Sequence, residues 1–389
     1  MSSNSILPVA REQFQIRPDI TFLNHGSFGA CPLPVFETYQ KWQRQLEADP
    51  IEFLGRRLIA MLREAREPLA AYLGTQTDQI VFVPNATTGV NIVARSLTSG
   101  LKPGDEILAT DHEYGAADRT WRFLCTQQGV TYINQPIPLP LENDEEVLNY
   151  LWQGVTPRTK VIFISHITSP TALTFPIEKI CQRARAANIL TVIDGAHAPG
   201  HIPLNLDELG ADFYAGNCHK WLCAPKGAGF LYARPEREEL LQPLVVSWGW
   251  QSLKPGVSRF QDYFGWTGTD EPASFLSVPA ALAFQREYNW EAVRPACHEL
   301  ASFARQQLTT LLGSEPMCPD SPHWWGQMCA VLLPDDAPST LQQRLREEWN
   351  VEIPIHTWNN RQLLRLSLQG YNGPADVERL LEAMKAIFD

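Results

Sequence analysis

The sequence predicts an α/β protein whose large domain is built on a mostly parallel β-sheet and is followed by a smaller α+β domain. Short apolar strand patterns alternate with amphipathic helix patterns through the middle of the chain. This alternation is typical of a parallel sheet covered by helices on both faces. After about Pro272 the pattern changes to a long helix, two strands and two further helices. We therefore predict an N-terminal arm at 1–19, a large domain at 20–272 and a small domain at 273–389.

The elements of the large domain follow one another in a regular order. The predicted strands are QIVFVP (79–84), DEILATD (105–111), KVIFISH (160–166), LTVIDGAH (190–197), ADFYAGN (211–217) and GAGFLYAR (227–234). The predicted helices between them, where apolar side chains recur at helical spacing, cover 85–97, 116–129 and 177–189. In the small domain we predict helices at 273–290, 339–350 and 375–388, and strands at 327–334 and 363–370.

The chain is acidic, with a net charge of −11 and 19% charged residues. This balance disfavours nucleic acid and anionic membrane surfaces as partners. The first segment, MSSNSILPVAREQFQIRPDI, lacks the basic start and apolar core of a signal peptide. No apolar run approaches the ~20 residues that span a bilayer. We therefore expect a cytoplasmic protein without a membrane segment.

Cysteines are scattered rather than paired along the sequence. The eight of them are Cys31, Cys125, Cys181, Cys218, Cys223, Cys297, Cys318 and Cys329. None forms a CxxC pair, so we predict no structural zinc site and no other metal. In the reducing cytoplasm we expect no disulfide either.

Polar side chains gather where the predicted strands end. They are Thr87 and Thr88, Tyr114, His166 and Ser169, Asp194 and His197, and His219 and Lys220. Ligands bind outside the carboxyl ends of the strands in an open parallel sheet. The sequence therefore predicts one site lined by these side chains.

Taken singly, these residues also have ordinary structural interpretations. Asp194 fits a simple turn before a glycine, and His197 fits a buried, hydrogen-bonded histidine. Thr87 or Thr88 fits the N-cap of a helix. The neighbouring lysine, Lys226, fits a solvated loop between Pro and Gly.

The combination of these groups indicates pyridoxal phosphate as the cofactor. A desolvated Lys220 can act as a nucleophile toward an aldehyde. A carboxylate such as Asp194 keeps a pyridine nitrogen protonated, so that the ring accepts electrons. A helix start with two hydroxyls, at Thr87 and Thr88, suits a phosphate group.

Five motifs carry a resemblance to the class V aminotransferase family of fold-type I pyridoxal phosphate enzymes. In chain order they are FLNHGSFGACP (22–32), VIDGAH (192–197), GNCHKWLCAPKGAGFLY (216–232), FGWTGTDEPA (264–273) and LRLSLQGYN (364–372). The first and the fourth resemble the isopenicillin N epimerase-like branch. The resemblance covers nearly the whole chain, and it implies a large domain with a mostly parallel, seven-stranded sheet.

The resemblance also implies roles for individual residues. Lys220 matches the lysine that binds the cofactor covalently, and Asp194 and His197 match catalytic residues beside it. The implied cofactor-binding set is Thr87, Thr88, Tyr114, Ser169, Asp194, His197, His219, Lys220 and Thr269. Thr269 matches a phosphate contact donated by a second subunit, which implies a homodimer. The implied substrate-binding residues are Asn24, His25 and Arg365, of which Arg365 matches the arginine that grips the α-carboxylate.

The expected function is removal of the α-proton from an amino-acid substrate, with the outcome of an isopenicillin N epimerase-like enzyme. A lyase that cleaves C–S bonds of cysteine, cystine or hercynylcysteine sulfoxide, or an aminotransferase, is the alternative. An inactive relative that binds a ligand is disfavoured by the joint presence of Lys220, Asp194 and Arg365. A nucleotide-binding protein is disfavoured because no Gly-rich fingerprint follows the first strand. A persulfide-forming desulfurase is not expected, because the segment 350–372 contains no cysteine.

Overall fold

The computed structural model describes residues 9–388, so residues 1–8 of the predicted arm and Asp389 lie outside the described part of the chain. Within 9–388 the strands are β1 (Thr21–Phe22), β2 (Ile80–Val83), β3 (Glu106–Thr110), β4 (Thr131–Gln135), β5 (Thr159–Ser165), β6 (Leu190–Gly195), β7 (Phe213–Asn217), β8 (Gly229–Ala233), β9 (Met328–Leu332), β10 (Val351–Glu352), β11 (Ile355–Trp358) and β12 (Arg361–Ser367).

Helices of very different lengths connect these strands. Within the same residues they are α1 (His25–Phe28), α2 (Leu33–Ala48), α3 (Leu58–Leu73), α4 (Ala86–Thr98), α5 (Gly115–Gln128), α6 (Asp144–Gln153), α7 (Ile177–Ala186), α8 (Leu206–Leu209), α9 (Arg259–Gly265), α10 (Ala273–Leu276), α11 (Val278–Glu287), α12 (Trp290–Leu312), α13 (Leu341–Trp349) and α14 (Pro374–Phe388). None of the helices in this part of the chain has the length and apolarity needed to cross a membrane.

A seven-stranded sheet with the order β2-β8-β7-β6-β5-β3-β4 forms the centre of the fold. β8 runs antiparallel to both of its neighbours. The remaining neighbours pair in parallel. The predicted α/β class with a mostly parallel, seven-stranded sheet is therefore confirmed.

The central strands are apolar on both faces, as a covered parallel sheet requires. In β5, Val161 and Phe163 pack into one apolar cluster, and Ile162 and Ile164 pack into another on the opposite face. This alternation places an apolar layer on each side of the sheet. The polar groups that end the strands are left at the sheet's carboxyl edge.

A second, antiparallel sheet with the order β11-β12-β9 lies in the C-terminal part of the chain. The N-terminal segment reaches this part, because β1 pairs in parallel with β10. Asn24 also forms a bridge to Ser367 at the end of β12. The boundary between large and small domains after residue 272 stays a prediction.

The predicted long helix at 273–290 is wrong in detail. The structure instead has α10, a break at Ser277 and then α11, with Pro279 in the first turn of α11. Proline has no N–H to donate to the preceding turn, so it favours a new helix start over a continuous helix. The edge strand β4 was not predicted because its side chains are half-exposed or exposed rather than apolar and buried.

Candidate active site

The residues that follow β6 and β7 meet at the carboxyl edge of the large sheet. Asp194, near the end of β6, is paired in register with Ser165 of β5. Lys220 follows the end of β7 and reaches back toward β6. Its Nζ lies 3.3 Å from Nε2 of His197. The structure thus brings together the three residues predicted to be catalytic.

Lys220 has an unusual electrostatic environment. Burial, and next the charge on Arg365, lower its pKa to about 7, while Asp194 opposes the shift. A lysine with a pKa near 7 exists partly as a neutral amine at neutral pH. The neutral amine is the nucleophilic form.

His197 is buried, and its tautomer is fixed by a neighbour. The indole Nε1 of Trp221 donates to Nδ1 of His197 at 3.2 Å. An indole nitrogen can only donate, so Nδ1 of His197 must accept and carries no proton. Burial, and next the charge on Lys220, lower the pKa of His197 well below its ordinary value, so the ring is neutral. Its single proton therefore sits on Nε2, on the side of Lys220.

Trp221 itself is fully buried and held from two sides. Its ring stacks on His201 with the centroids 4.1 Å apart. Its backbone carbonyl accepts a hydrogen bond from Nε2 of Gln285 at 2.9 Å. These contacts fix the indole, and the indole in turn fixes the His197 ring.

Asp194 is buried and has one oxygen free for a ligand. Its Oδ1 accepts a hydrogen bond from the backbone N–H of Ala196 at 2.9 Å. No hydrogen bond reaches Oδ2 from within residues 9–388. Burial raises the pKa of Asp194, while Lys220 lowers it. A protonated ring nitrogen of a ligand could donate the hydrogen bond that Oδ2 lacks.

The start of α4 leaves the backbone N–H and the hydroxyl of Thr87 available to a ligand. Asn85 is the N-cap, and its Oδ1 accepts from the backbone N–H of Thr88 at 2.9 Å. The backbone N–H of Ala86 donates to Oδ1 of Asn217. The remaining first-turn N–H, at Thr87, lies beside an exposed side-chain hydroxyl. With the helix dipole, this end of α4 suits an anion.

Arg365, on β12, points at the same edge of the large sheet. Its Nη1 donates to the carbonyl and the hydroxyl of Ser169 at 2.8 and 3.2 Å. Its Nη2 donates to Oγ of Ser27 at 3.1 Å, and Ser27 in turn donates to Asn24. Burial lowers the pKa of Arg365 to about 10, so the guanidinium stays charged at neutral pH. The structure therefore joins Asn24 and Ser169 to Arg365.

Tyr114 and Glu113 follow β3. Tyr114 is the N-cap residue of α5 and is 46% exposed. Glu113 is buried and accepts hydrogen bonds from Oγ1 of Thr110 and from the backbone N–H and Oγ of Ser165. Burial raises the pKa of Glu113 to about 8. This carboxyl group ties the ends of β3 and β5 together.

Three predicted site residues lie apart from this cluster or behind it. The ring of His25 is fully buried and hydrogen-bonded to the hydroxyl of Tyr371 and the carbonyl of Lys220. His219 is turned toward the carbonyl of Ala228. Thr269 is exposed in the segment after α9. The structure thus gives the His25 ring contacts to protein groups rather than an open side toward substrate.

Pyridoxal phosphate matches the groups that the pocket offers. Its aldehyde, ring nitrogen, phenolic oxygen and phosphate need a nucleophile, a carboxylate oxygen, a donor and a phosphate cradle. Lys220, Oδ2 of Asp194, Nε2–H of His197 and the start of α4 are groups of these kinds. The fold and the pocket together define a fold-type I pyridoxal phosphate enzyme.

Comparison with known proteins identifies the family. The family model for aminotransferase class-V matches residues 29–380. An isopenicillin N epimerase from Amycolatopsis lactamdurans is 38% identical over 97% of this chain and 98% of its own length. An L-cysteine desulfhydrase from Arabidopsis thaliana is 27% identical over 93% of this chain and 86% of its own. The chain therefore belongs to the class V aminotransferase family, and its cofactor is pyridoxal phosphate.

Solved structures agree with this fold. A C-DES variant with glycine covalently linked to its pyridoxal phosphate cofactor superimposes with a TM-score of 0.84. The alignment covers 97% of this chain and 100% of that one, at 22% identity. This likeness shows a common architecture.

Proposed function

We propose that this enzyme inverts the α-carbon of an amino-acid group in its substrate, as an isopenicillin N epimerase does. The observation that carries the proposal is the 38% identity to such an epimerase over nearly the full length of both chains. The site supports the proposal with three groups: the Lys220 amine, whose pKa is about 7, the proton donor His197 and the buried guanidinium of Arg365.

Each residue of the pocket has a defined task in this proposal. Lys220 holds the cofactor and, once released, removes the proton at the α-carbon. Inversion follows when a proton is added to the opposite face of that carbon. When bound, pyridoxal phosphate supplies an electron-accepting ring that makes this proton acidic. Asp194 stabilises the positive ring nitrogen, and His197 donates from Nε2 to the phenolic oxygen. Arg365 binds the α-carboxylate and so orients the α-carbon toward Lys220.

The cofactor's phosphate is assigned to Thr87 and Thr88 at the start of α4 and to His219. Ser169 is assigned to the part of the cofactor site next to Arg365, which donates to it. Tyr114 is assigned to the face of the ring, where an aromatic side chain stacks in an offset geometry. Of the N-terminal residues, Asn24 supports the substrate site through Ser27 and Arg365. His25 supports it indirectly, by holding the carbonyl of Lys220.

A C–S lyase is the second candidate, supported by the 27% identity to an L-cysteine desulfhydrase. Both reactions begin with the loss of the α-proton, and they differ in the next step. In the epimerase a proton is added to the opposite face of the α-carbon, whereas in the lyase a β-substituent leaves. An aminotransferase would instead pass the amino group to the cofactor.

Product analysis separates these candidates. The purified holoenzyme is incubated in D₂O with isopenicillin N and, separately, with L-cysteine, and products are resolved on a chiral column. Inversion of isopenicillin N with deuterium at the α-carbon supports the epimerase. Release of pyruvate and sulfide from cysteine, without inversion of isopenicillin N, overturns it in favour of the lyase. An inert holoenzyme overturns both and favours a ligand-binding relative.

A cytoplasmic homodimer completes the proposal. Thr269 is exposed, as a residue that serves a second subunit must be. The nearby segment exposes large apolar side chains, among them Trp248 at 84% and Leu253 at 99%. Exposed apolar patches of this kind mark protein interfaces. Within each subunit we assign residues 20–272 to the large domain and 273–389 to the small one.

A further inference from the structure

His356 is a partly buried imidazole for which the proposed reaction has no role. It lies on β11, and its Nε2 is buried without a hydrogen-bond partner in residues 9–388. Buried polar atoms nearly always have a partner, in the protein or in a bound molecule. The orphaned nitrogen is therefore available to an atom of a bound ligand.

The pairing of β11 with β12 places His356 on the same face of the small sheet as Arg365. His356 lies directly opposite Leu363. Opposed residues of an antiparallel pair share a face, and so do residues two apart on one strand. Leu363 and Arg365 are two apart, so the imidazole and the guanidinium project to the same side.

The charges around His356 keep it neutral. Burial, and next the positive charges of Arg365 and Lys220, lower its pKa to about 3. A neutral ring carries one N–H donor.

Arg365 has an orphaned donor of its own. Its Nε is buried without a partner in the described residues, while Nη1 and Nη2 donate to Ser169 and Ser27. Nε of Arg365 and Nε2 of His356, both unpartnered and on one face beside a fixed positive charge, are suited to an anionic group with two oxygens when Nε2 carries the proton of the neutral ring. A carboxylate has this form.

The hairpin that carries His356 is held in place by hydrogen bonds to Asp111. Its turn, at Asn359 and Asn360, has φ values of 47° and 61°, as expected of a tight two-residue hairpin turn. The indole of Trp358 donates to the carbonyl of Asp111 at 3.0 Å, and Asn359 donates to the Asp111 carboxylate at 2.6 Å. His356 therefore approaches the pocket from a rigid element.

We infer that His356 is a further substrate-binding residue, whose Nε2–H donates to the carboxylate that Arg365 binds. The inference rests on the proposed role of Arg365. A neutral donor strengthens carboxylate binding without adding a third positive charge beside Lys220. It also favours a free acid over the corresponding amide.

The experiment measures binding of hexanoate and hexanamide to the holoenzyme by calorimetry. A hydrogen bond to a charged group contributes enough that His356→Phe should weaken hexanoate binding about tenfold or more. Hexanamide binding should change little. His356→Gln restores a donor and should recover most of the hexanoate affinity. Thr357→Ala, an exposed neighbour on the other face of β11, is the matched control.

The variant Arg365→Gln distinguishes an error in the role of His356 from an error in the proposed carboxylate site at Arg365. If Arg365→Gln abolishes the preference for hexanoate and His356→Phe leaves it intact, the role of His356 is wrong and the carboxylate site stands. If neither substitution alters the preference, the carboxylate site is wrong, and this inference falls with it. Equal losses in His356→Phe and His356→Gln, with cofactor absorbance and circular dichroism unchanged, also overturn the inference.

Discussion

The indole N–H of Trp221 donates to Nδ1 of His197 at 3.2 Å, so the remaining proton of His197 is directed at the amine of Lys220. Two residues adjacent in sequence, Lys220 and Trp221, thus contact opposite nitrogens of one imidazole. Because these two residues are joined by a peptide bond, their contacts together fix the orientation of the His197 ring.

Trp221→Phe should release this constraint. Phenylalanine keeps an aromatic ring against His201 but has no N–H, so Nδ1 of His197 can take the proton and Nε2 becomes an acceptor. Loss of one hydrogen bond predicts a fall in kcat of roughly three- to tenfold. Nitrogen NMR of ¹⁵N-histidine-labelled enzyme should show the change of tautomer directly.

Trp325→Phe is the matched control for that substitution. Trp325 is also buried, but its indole N–H has no partner in the described residues. This variant should leave kcat and the His197 tautomer unchanged. An unchanged His197 tautomer in Trp221→Phe would contradict the positioning role.

Lys220→Ala should abolish turnover and covalent attachment of the cofactor. Borohydride treatment followed by peptide mapping should find the cofactor on Lys220 in the wild-type enzyme and on no lysine in this variant. Lys226→Ala is the control and should retain attachment at Lys220, because Lys226 is exposed and donates to the Gly29 carbonyl. A label on Lys226 would show the assignment to be wrong.

Thr269→Ala should weaken cofactor retention without unfolding the subunit. A hydroxyl donating to a phosphate predicts roughly tenfold or more faster loss of cofactor on dialysis. The exposed Thr267, two positions earlier, supplies the control variant Thr267→Ala. A monomeric holoenzyme in sedimentation at micromolar concentration, or equal cofactor loss in both variants, would remove Thr269 from the site of a second subunit.

The strand-end residues could be predicted because a parallel sheet brings the carboxyl ends of its strands to one edge. Asp194 and Lys220 were found this way, from their positions after apolar runs. Ser169, one partner of Arg365, was also found in this way, but Ser27, the other partner, was not. Ser27 lies 338 positions from Arg365 in the chain, and no local pattern links the two. Likewise, the sequence placed His25 in a site motif, but only the fold shows its ring behind Lys220.

No persulfide should form on this chain during turnover with L-cysteine. Burial raises the pKa of Cys329 to about 12 and that of Cys318 to about 11, so neither thiol is ionised near neutral pH. The thiolate is the form that attacks sulfur. Intact-mass spectrometry after incubation with cysteine should show no added sulfur. A persulfide on either residue would contradict this prediction and make a cysteine desulfurase a candidate function again.

The carboxyl group of Glu113, which joins the ends of β3 and β5, should make stability depend on pH. Burial raises its pKa from 4.5 to about 8, and repulsion from Asp194 contributes to the shift. Between these two values the native chain holds a proton that the unfolded chain has released. The free energy of unfolding should therefore fall as pH rises through this window, by up to about 1.4 kcal/mol per pH unit, and level off above about pH 8.

Glu113→Gln should remove this dependence. The glutamine oxygen can accept from Ser165, and its amide can donate to Oγ1 of Thr110, because a hydroxyl can also accept. Urea unfolding at several pH values between about 5 and about 9 should show the variant gaining stability over wild type as pH rises, with the gain constant above about pH 8. Glu47→Gln, at an exposed position on α2, is the control and should follow the wild-type curve. A gain that shrinks with rising pH would mean that Glu113 is ionised in the native enzyme, held so by its three donors.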